Sequence, residues 1–171
     1  MKKMMIVLLM AVSGLTAHAQ KYALVDMEYI LSNIPAYQRA NLQLNILSKT
    51  WQAEVEALNK EASQLYQDYQ NEAPKLSQEA KKSKQDAIMQ KEKEASELKL
   101  KYFGENGELA VKREEMLTPI QEKIYNAVKD VSEQRGYTMV VDRSSNSGII
   151  FASPKIDISS DVLKKIGVSG K

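Results

Sequence analysis

The chain of 171 residues has no cysteine, and its one histidine, His18, stands among the first nineteen residues. Without thiols there are no disulfides and no thiolate nucleophiles. If the N-terminal segment is removed, no imidazole remains either, which excludes histidine-based triads and the usual zinc ligand sets. The seven glycines form no phosphate-cradling loop, and no serine elbow is present. Carboxylate, serine or lysine catalysis stays formally open, but no motif supports it. The expectation is a protein that is not an enzyme and needs no cofactor or metal.

Long hydrophobic runs are scarce too. Lys2 and Lys3 precede an apolar stretch from Met4 to Val12, and Ala17-His18-Ala19 supplies a small-residue site before Gln20. This is the three-part layout of a cleavable signal peptide over residues 1–19. The apolar stretch is far short of the roughly 18 to 20 residues that span a bilayer. With no cysteine at the cleavage point to carry a lipid, the expectation is an exported chain without stable membrane anchoring. Losing Lys2 and Lys3 leaves basic and acidic residues equal at 22 each. The mature chain is then about neutral, which gives no licence for nucleic-acid binding.

The rest of the chain reads as mainly α with a small β part (α+β). Lys21 to Asp26 has strand character, and Met27 to Ser32 a short helical one. From Pro35 to Arg135 the composition is rich in Gln, Glu, Lys, Ala and Leu, with helical apolar spacing and no alternation. Tyr137 to Asp142 and Gly148 to Ala152 are β-rich runs around a polar turn, Arg143 to Ser147, and predict a β-hairpin. Ser159 or Ser160 can cap a last helix that Gly167 ends. The expected organisation is a helical arm at 35–135 and a β-rich association base at 20–34 and 136–171.

Within the arm, Leu44, Leu47, Trp51, Val55, Leu58, Ala62, Leu65 and Tyr69 recur at steps of 3, 4, 4, 3, 4, 3 and 4. That is a coiled-coil seam with one stutter. Asn33 can cap this helix ahead of Pro35, and the helix is expected to reach about Ala73, close to 57 Å in length. One stripe on so long a helix needs a partner, and Pro74 breaks the pattern so that the chain can turn back. An apex near residue 74 makes facing numbers sum to about 150. Ala62 is then expected against Ile88, Val55 against Ala95, Trp51 against Leu98 and Leu47 against Tyr102. Further on, Met116, Leu117, Ile120, Ile124, Ala127, Val128 and Val131 make a wider stripe, while Gly104, Gly107 and Pro119 predict kinks.

Two carboxylates, Asp26 and Asp142, both follow apolar runs and could be taken as a catalytic pair. Asp at a strand end more simply caps or turns the chain, and no acid–base partner adjoins either one. The aromatic stripe has the same two readings. Seam packing accounts for Trp51, Leu65 and Tyr102, whereas Tyr66 lies just off the seam and is the candidate for contact with a binding partner. The lysines and glutamates between Lys81 and Lys101 solvate the exterior of the returning arm. Lys75 to Lys101 has eight basic and five acidic residues, against three and five from Ala36 to Pro74, so the arms attract weakly. In the base, Tyr22, Leu24, Met139, Val140, Val141, Ile149, Ile150 and Phe151 supply more apolar surface than a small sheet covers. Open strand edges add to this, and together they predict self-association.

Three segments carry a family resemblance: Tyr22-Ala23-Leu24-Val25-Asp26, Pro119-Ile120-Gln121-Glu122-Lys123-Ile124, and Gly136-Tyr137-Thr138-Met139-Val140-Val141-Asp142. In these, and in its strand, hairpin, strand order, the chain resembles the Skp (OmpH-like) family of periplasmic chaperones for outer-membrane proteins. Phe103 to Leu109 also looks like a variant found in that family. The resemblance implies a homotrimer with a central β-barrel and three helical arms around a cavity, where unfolded outer-membrane proteins are held without ATP. Known members are strongly basic and this mature chain is not, which makes lipopolysaccharide a doubtful ligand. The alternative is a structural coiled-coil spacer or an envelope-assembly adaptor without chaperone activity. A spacer favours a dense unbroken seam, whereas this one is sparse and interrupted.

Overall fold

The computed structural model describes residues 20–145 and 148–168. The expected signal peptide, and Asn146 and Ser147 of the polar turn, lie outside the described residues. The elements are strand β1 (Lys21–Val25), helices α1 (Met27–Asn33) and α2 (Pro35–Glu72), a 3-10 turn (Ala73–Lys75), and helices α3 (Gln78–Phe103) and α4 (Glu108–Arg135). Strand β2 (Tyr137–Asp142), a second 3-10 turn (Pro154–Ile156) and helix α5 (Ser159–Ile166) complete the chain. Among the described residues no helix is long and apolar enough to cross a membrane. Two compact units result: Ile34–Ile124 in one, and the segments up to Asn33 and from Tyr125 onward in the other.

In the first unit, α2 and α3 form the antiparallel hairpin. The N-cap of α2 is Ile34, in extended conformation and without a side-chain cap, because a residue before proline is pushed out of the helical region. Asn33 therefore does not cap α2. It ends α1, and its side-chain amide donates to the Tyr29 carbonyl at 2.8 Å. At the far end, Ala73 and Glu72 keep right-handed helical angles, so the 3-10 turn containing Pro74 prolongs the rod of α2. Reversal falls instead at Leu76 and Ser77, both extended, and the Ser77 hydroxyl caps α3 by accepting the Ala80 amide at 3.3 Å.

Moving the apex past Pro74 moves the register. Trp51 stacks on Tyr102 with ring centroids 4.7 Å apart and planes 7° from parallel, and the Tyr102 hydroxyl donates to Glu54 at 2.6 Å. Lys91 reaches Glu61 at 3.2 Å, Gln85 reaches the Tyr69 hydroxyl at 3.0 Å, and Lys84 reaches Glu72 at 2.6 Å. Facing numbers therefore sum to about 154 rather than 150, a displacement of about one helical turn. Tyr102 faces Trp51 and not Leu47, and Leu98 is not the partner of Trp51. Val55, Ala62, Ile88 and Ala95 all remain buried in the seam, although about one turn off the level expected for their pairs.

The seam mixes small and larger residues, with Ala40, Ala62 and Ala95 buried alongside Leu44, Val55, Ile88 and Tyr102. Leu47, Trp51 and Leu98 are only half-buried. On one flank, the hydrogen bonds that Lys91 donates to Glu94 and then to Glu61 raise its pKa, and the same lysine lowers that of Glu94. The returning arm is broken at Gly104 to Gly107, where Gly107 N–H donates to the Gly104 carbonyl at 2.9 Å. A side chain on Gly107 would lie 2.8 Å from the Tyr102 carbonyl oxygen, and one on Gly104 2.5 Å from that of Leu100. The turn thus excludes any larger residue at either position. Pro119, expected to interrupt the arm, sits inside a continuous α4.

In the second unit, β1 and β2 pair in parallel, with Tyr22 beside Met139, Ala23 beside Val140, Leu24 beside Val141 and Val25 beside Asp142. On its other side Leu24 bridges to Asp157, and its carbonyl accepts the Ile158 amide at 2.9 Å. The expected β-hairpin of 137–142 with 148–152 does not form: β2 pairs with β1, and residues 148–152 are not a strand. Ala23, Leu24 and Val25 are buried in succession, as in a strand covered on both faces. Ile30, Ile158, Val162, Leu163 and Ile166 complete this core.

The last turns of α4 belong to this unit, so the arm ends before Arg135. Ala127 and Val131 are buried, and Arg135–Asp161 at 2.9 Å and Lys165–Asp130 at 2.9 Å tie α4 to α5. The N-cap of α5 is Ile158, while the Ser159 hydroxyl accepts the Asp26 amide at 2.8 Å. Gly167, at φ 86°, ends the helix in the left-handed conformation.

Two expectations follow. Replacing Trp51 and Tyr102 singly and together by alanine will give a double-mutant cycle with a coupling worth about 2–4 °C in Tm. Leu47→Ala combined with Tyr102→Ala will be additive, and thermal denaturation of the four variants distinguishes the two registers. The second concerns Asp142. Burial pushes its carboxyl up, but hydrogen bonds from the Ser144 and Ser145 hydroxyls and the Met27 and Ser144 amides outweigh that and hold it down to about 2. Because this lies below the ordinary 3.8, the stabilisation is fully present above that pH and is lost as pH falls through about 2. Denaturant unfolding between pH 5 and pH 2 will show about 2 kcal/mol disappearing in the native chain. Asp142→Asn will lack that component.

Candidate functional site

The carboxylates are consumed by structure. One oxygen of Asp26 caps α1 by accepting the Tyr29 amide at 2.8 Å, and the other pairs with Arg143 at 3.0 Å. Arg143 also reaches Asp157 at 3.4 Å. Asp142 accepts the Met27 amide at 3.1 Å and the Ser144 hydroxyl at 2.7 Å. Both acids thus fasten the ends of β1 and β2 and present no proton to a substrate. Among the described residues no group of three His, Cys, Asp or Glu side chains could hold a metal ion.

The chemistry available to this molecule lies in exposed apolar surface. In the β-containing unit, Tyr22 and Met139 are ladder partners and both are exposed, so they share one open patch. Ile150 and Phe151 are 100% and 85% exposed. The outer edge of β2 has no further strand in the two-stranded sheet. Val140, Val141 and Ile149 are half-buried. Leu24, counted from the sequence with this surface, is buried, with only 7% exposed. As the central rung between β2 and Asp157 it fills the unit's own core.

On the hairpin unit, Tyr66 is exposed, and so is Leu65, which the apolar spacing had placed in the seam. Leu42, Ile46, Met89, Leu100 and Val111 are also exposed, and the seam spacing had passed over all five. Their signal was present in the sequence as apolar residues off the 3/4 steps. Leu42 and Ile46, four apart, recur on the face away from Leu44. At the break between α3 and α4, Leu100 and Val111 flank an open hollow of about 540 Å³, rimmed by Lys101, Glu108 and Lys112.

Comparison with known proteins assigns this arrangement. Residues 21–166 match the family described as outer membrane protein (OmpH-like). The chaperone protein Skp of Yersinia enterocolitica is 24% identical over 151 residues, which is 88% of each chain. A crystal structure of an OmpH-like protein from Caulobacter crescentus CB15, described as a candidate outer membrane chaperone, has the same fold. Its TM-score is 0.67 over 86% of this chain and 84% of that one, at 11% identity. The sequence, the hairpin with its small parallel sheet, and the carboxylates spent on capping therefore agree: the chain belongs to the OmpH-like family, a family of chaperones rather than enzymes.

Proposed function

We propose that the protein is an ATP-independent periplasmic holdase, which binds unfolded outer-membrane proteins in a cavity between the helical arms of a homotrimer and prevents their aggregation. The observation that carries this reading is the scatter of exposed large apolar side chains along the hairpin, from Leu42 and Ile46 through Tyr66 and Met89 to Leu100 and Val111. A soluble helical rod has no structural use for them. Fully burying one such side chain contributes roughly 1.5–3 kcal/mol, so several partial contacts hold a client without demanding a sequence. Transmembrane β-strands suit such a surface, because they alternate apolar and polar residues and differ in sequence otherwise.

Self-association fits the other unit. The open edge of β2 and the Tyr22–Met139 patch, with Ile150 and Phe151, are surface that a monomer leaves in water. Residues 1–19 supply the export signal in this reading, and neither ATP nor a cofactor takes part. Lipopolysaccharide remains a doubtful ligand for a neutral chain. The spacer or adaptor alternative is disfavoured by a seam in which alanine recurs and by the interruption at Gly104 to Gly107.

Diluting a urea-unfolded β-barrel membrane protein into buffer tests the proposal. The mature chain in molar excess, counted as trimers, will suppress light scattering without nucleotide, and its mass in solution will be that of three chains. Undiminished scattering overturns the holdase, and a monomer mass overturns the trimer.

A further inference from the structure

Resting on the holdase reading, we propose that the hollow at the break between α3 and α4 is the anchoring point for a client. It accepts one or two bulky apolar side chains of an unfolded polypeptide, while the convex helical faces make only transient contact. Leu100 is 66% and Val111 46% exposed, and they stand on opposite sides of the break. The turn between them cannot be filled from within, because a side chain on either Gly104 or Gly107 would collide with backbone. At about 540 Å³ the hollow is open to solvent and does not enclose a ligand, but it can shelter part of a chain. It is too small for a folded partner's surface and large enough for a few apolar groups.

Charge selects the class of occupant. Lys101 pairs with Glu108 at 3.4 Å and Lys112 with Glu115 at 2.7 Å, so the rim is neutralised by its own ion pairs. What remains unsatisfied is the apolar floor. A neutral apolar side chain complements it, whereas an acidic peptide or a lipid phosphate would have to displace a glutamate from its lysine. Just before the break, outside the lining of the hollow, Tyr102 is buried, stacked on Trp51 and hydrogen-bonded to Glu54, which holds the end of α3 in place. A preorganised hollow loses less entropy on binding than a mobile face does.

The probe is a fluorescently labelled, urea-unfolded β-barrel membrane protein titrated with the intact mature chain. Leu100→Gln with Val111→Gln will weaken binding about tenfold, with circular dichroism and oligomer mass unchanged, because both side chains are on the surface. Leu42→Gln with Ile46→Gln, an equally exposed apolar pair of the same client surface but away from the hollow, will weaken it only about two- to threefold, as the loss of transient contacts does. A photocrosslinking residue at Asn106, which lines the hollow, will capture the client more efficiently than one at Ile46. Equal losses from the two pairs, or equal capture at the two positions, would overturn the anchor while leaving the holdase intact. Failure of the unaltered chain to bind would overturn both.

Discussion

A helix of 38 residues carrying one apolar stripe is unstable alone in water, and the hairpin unit depends on satisfying that stripe. The partner arm does so with a seam in which alanine recurs, so the buried area per turn is small. Cohesion is concentrated where Trp51 stacks on Tyr102 and the Tyr102 hydroxyl meets Glu54. The Glu54 hydrogen bond leads desolvation in raising the Tyr102 pKa, which keeps the phenol protonated as a donor. Toward the apex the flank is joined by Glu61–Lys91 and Glu72–Lys84, exposed pairs of the kind that salt screens. Packing is thus uneven along the hairpin, firm at the aromatic node and looser beyond it.

The second unit is held differently. Its two strands are parallel and separated in sequence by the entire hairpin, so their pairing is a long-range closure. Polar fastening compensates. Asp142 gathers the amide of Met27 and the turn after β2, and Arg143 joins Asp26 to Asp157. Those groups leave no acid or base free, which is why a carboxylate cluster beside strand ends does not read as catalysis. The same small sheet leaves one edge and one patch open.

These two kinds of incompleteness suit a chaperone of the OmpH-like family. In the proposed reading, surface that would be a liability in a monomer serves association in the β-containing unit and clients in the hairpin unit. A fully packed coiled coil would have neither spare apolar residues nor a hollow. The glycine turn is where the molecule departs furthest from a uniform rod. It is built of backbone contacts that no other residue tolerates, so it is a fixed feature of the arm.

Sequence periodicity alone determined the helical arms, their antiparallel return, the buried positions Val55, Ala62, Ile88, Ala95 and Tyr102, and the ending of α5 at Gly167. Those features are local or repeat many times, so composition and spacing encode them redundantly. Tertiary structure decided what rests on a single junction. The apex passed Pro74 because the first helix continues as a 3-10 turn, which re-paired Tyr102 with Trp51. It also decided that β2 pairs with β1 rather than with 148–152, and that Leu24 is core rather than interface. A β-rich run specifies a face but not its neighbour, and only the folded chain brings residues so distant in sequence into one ladder.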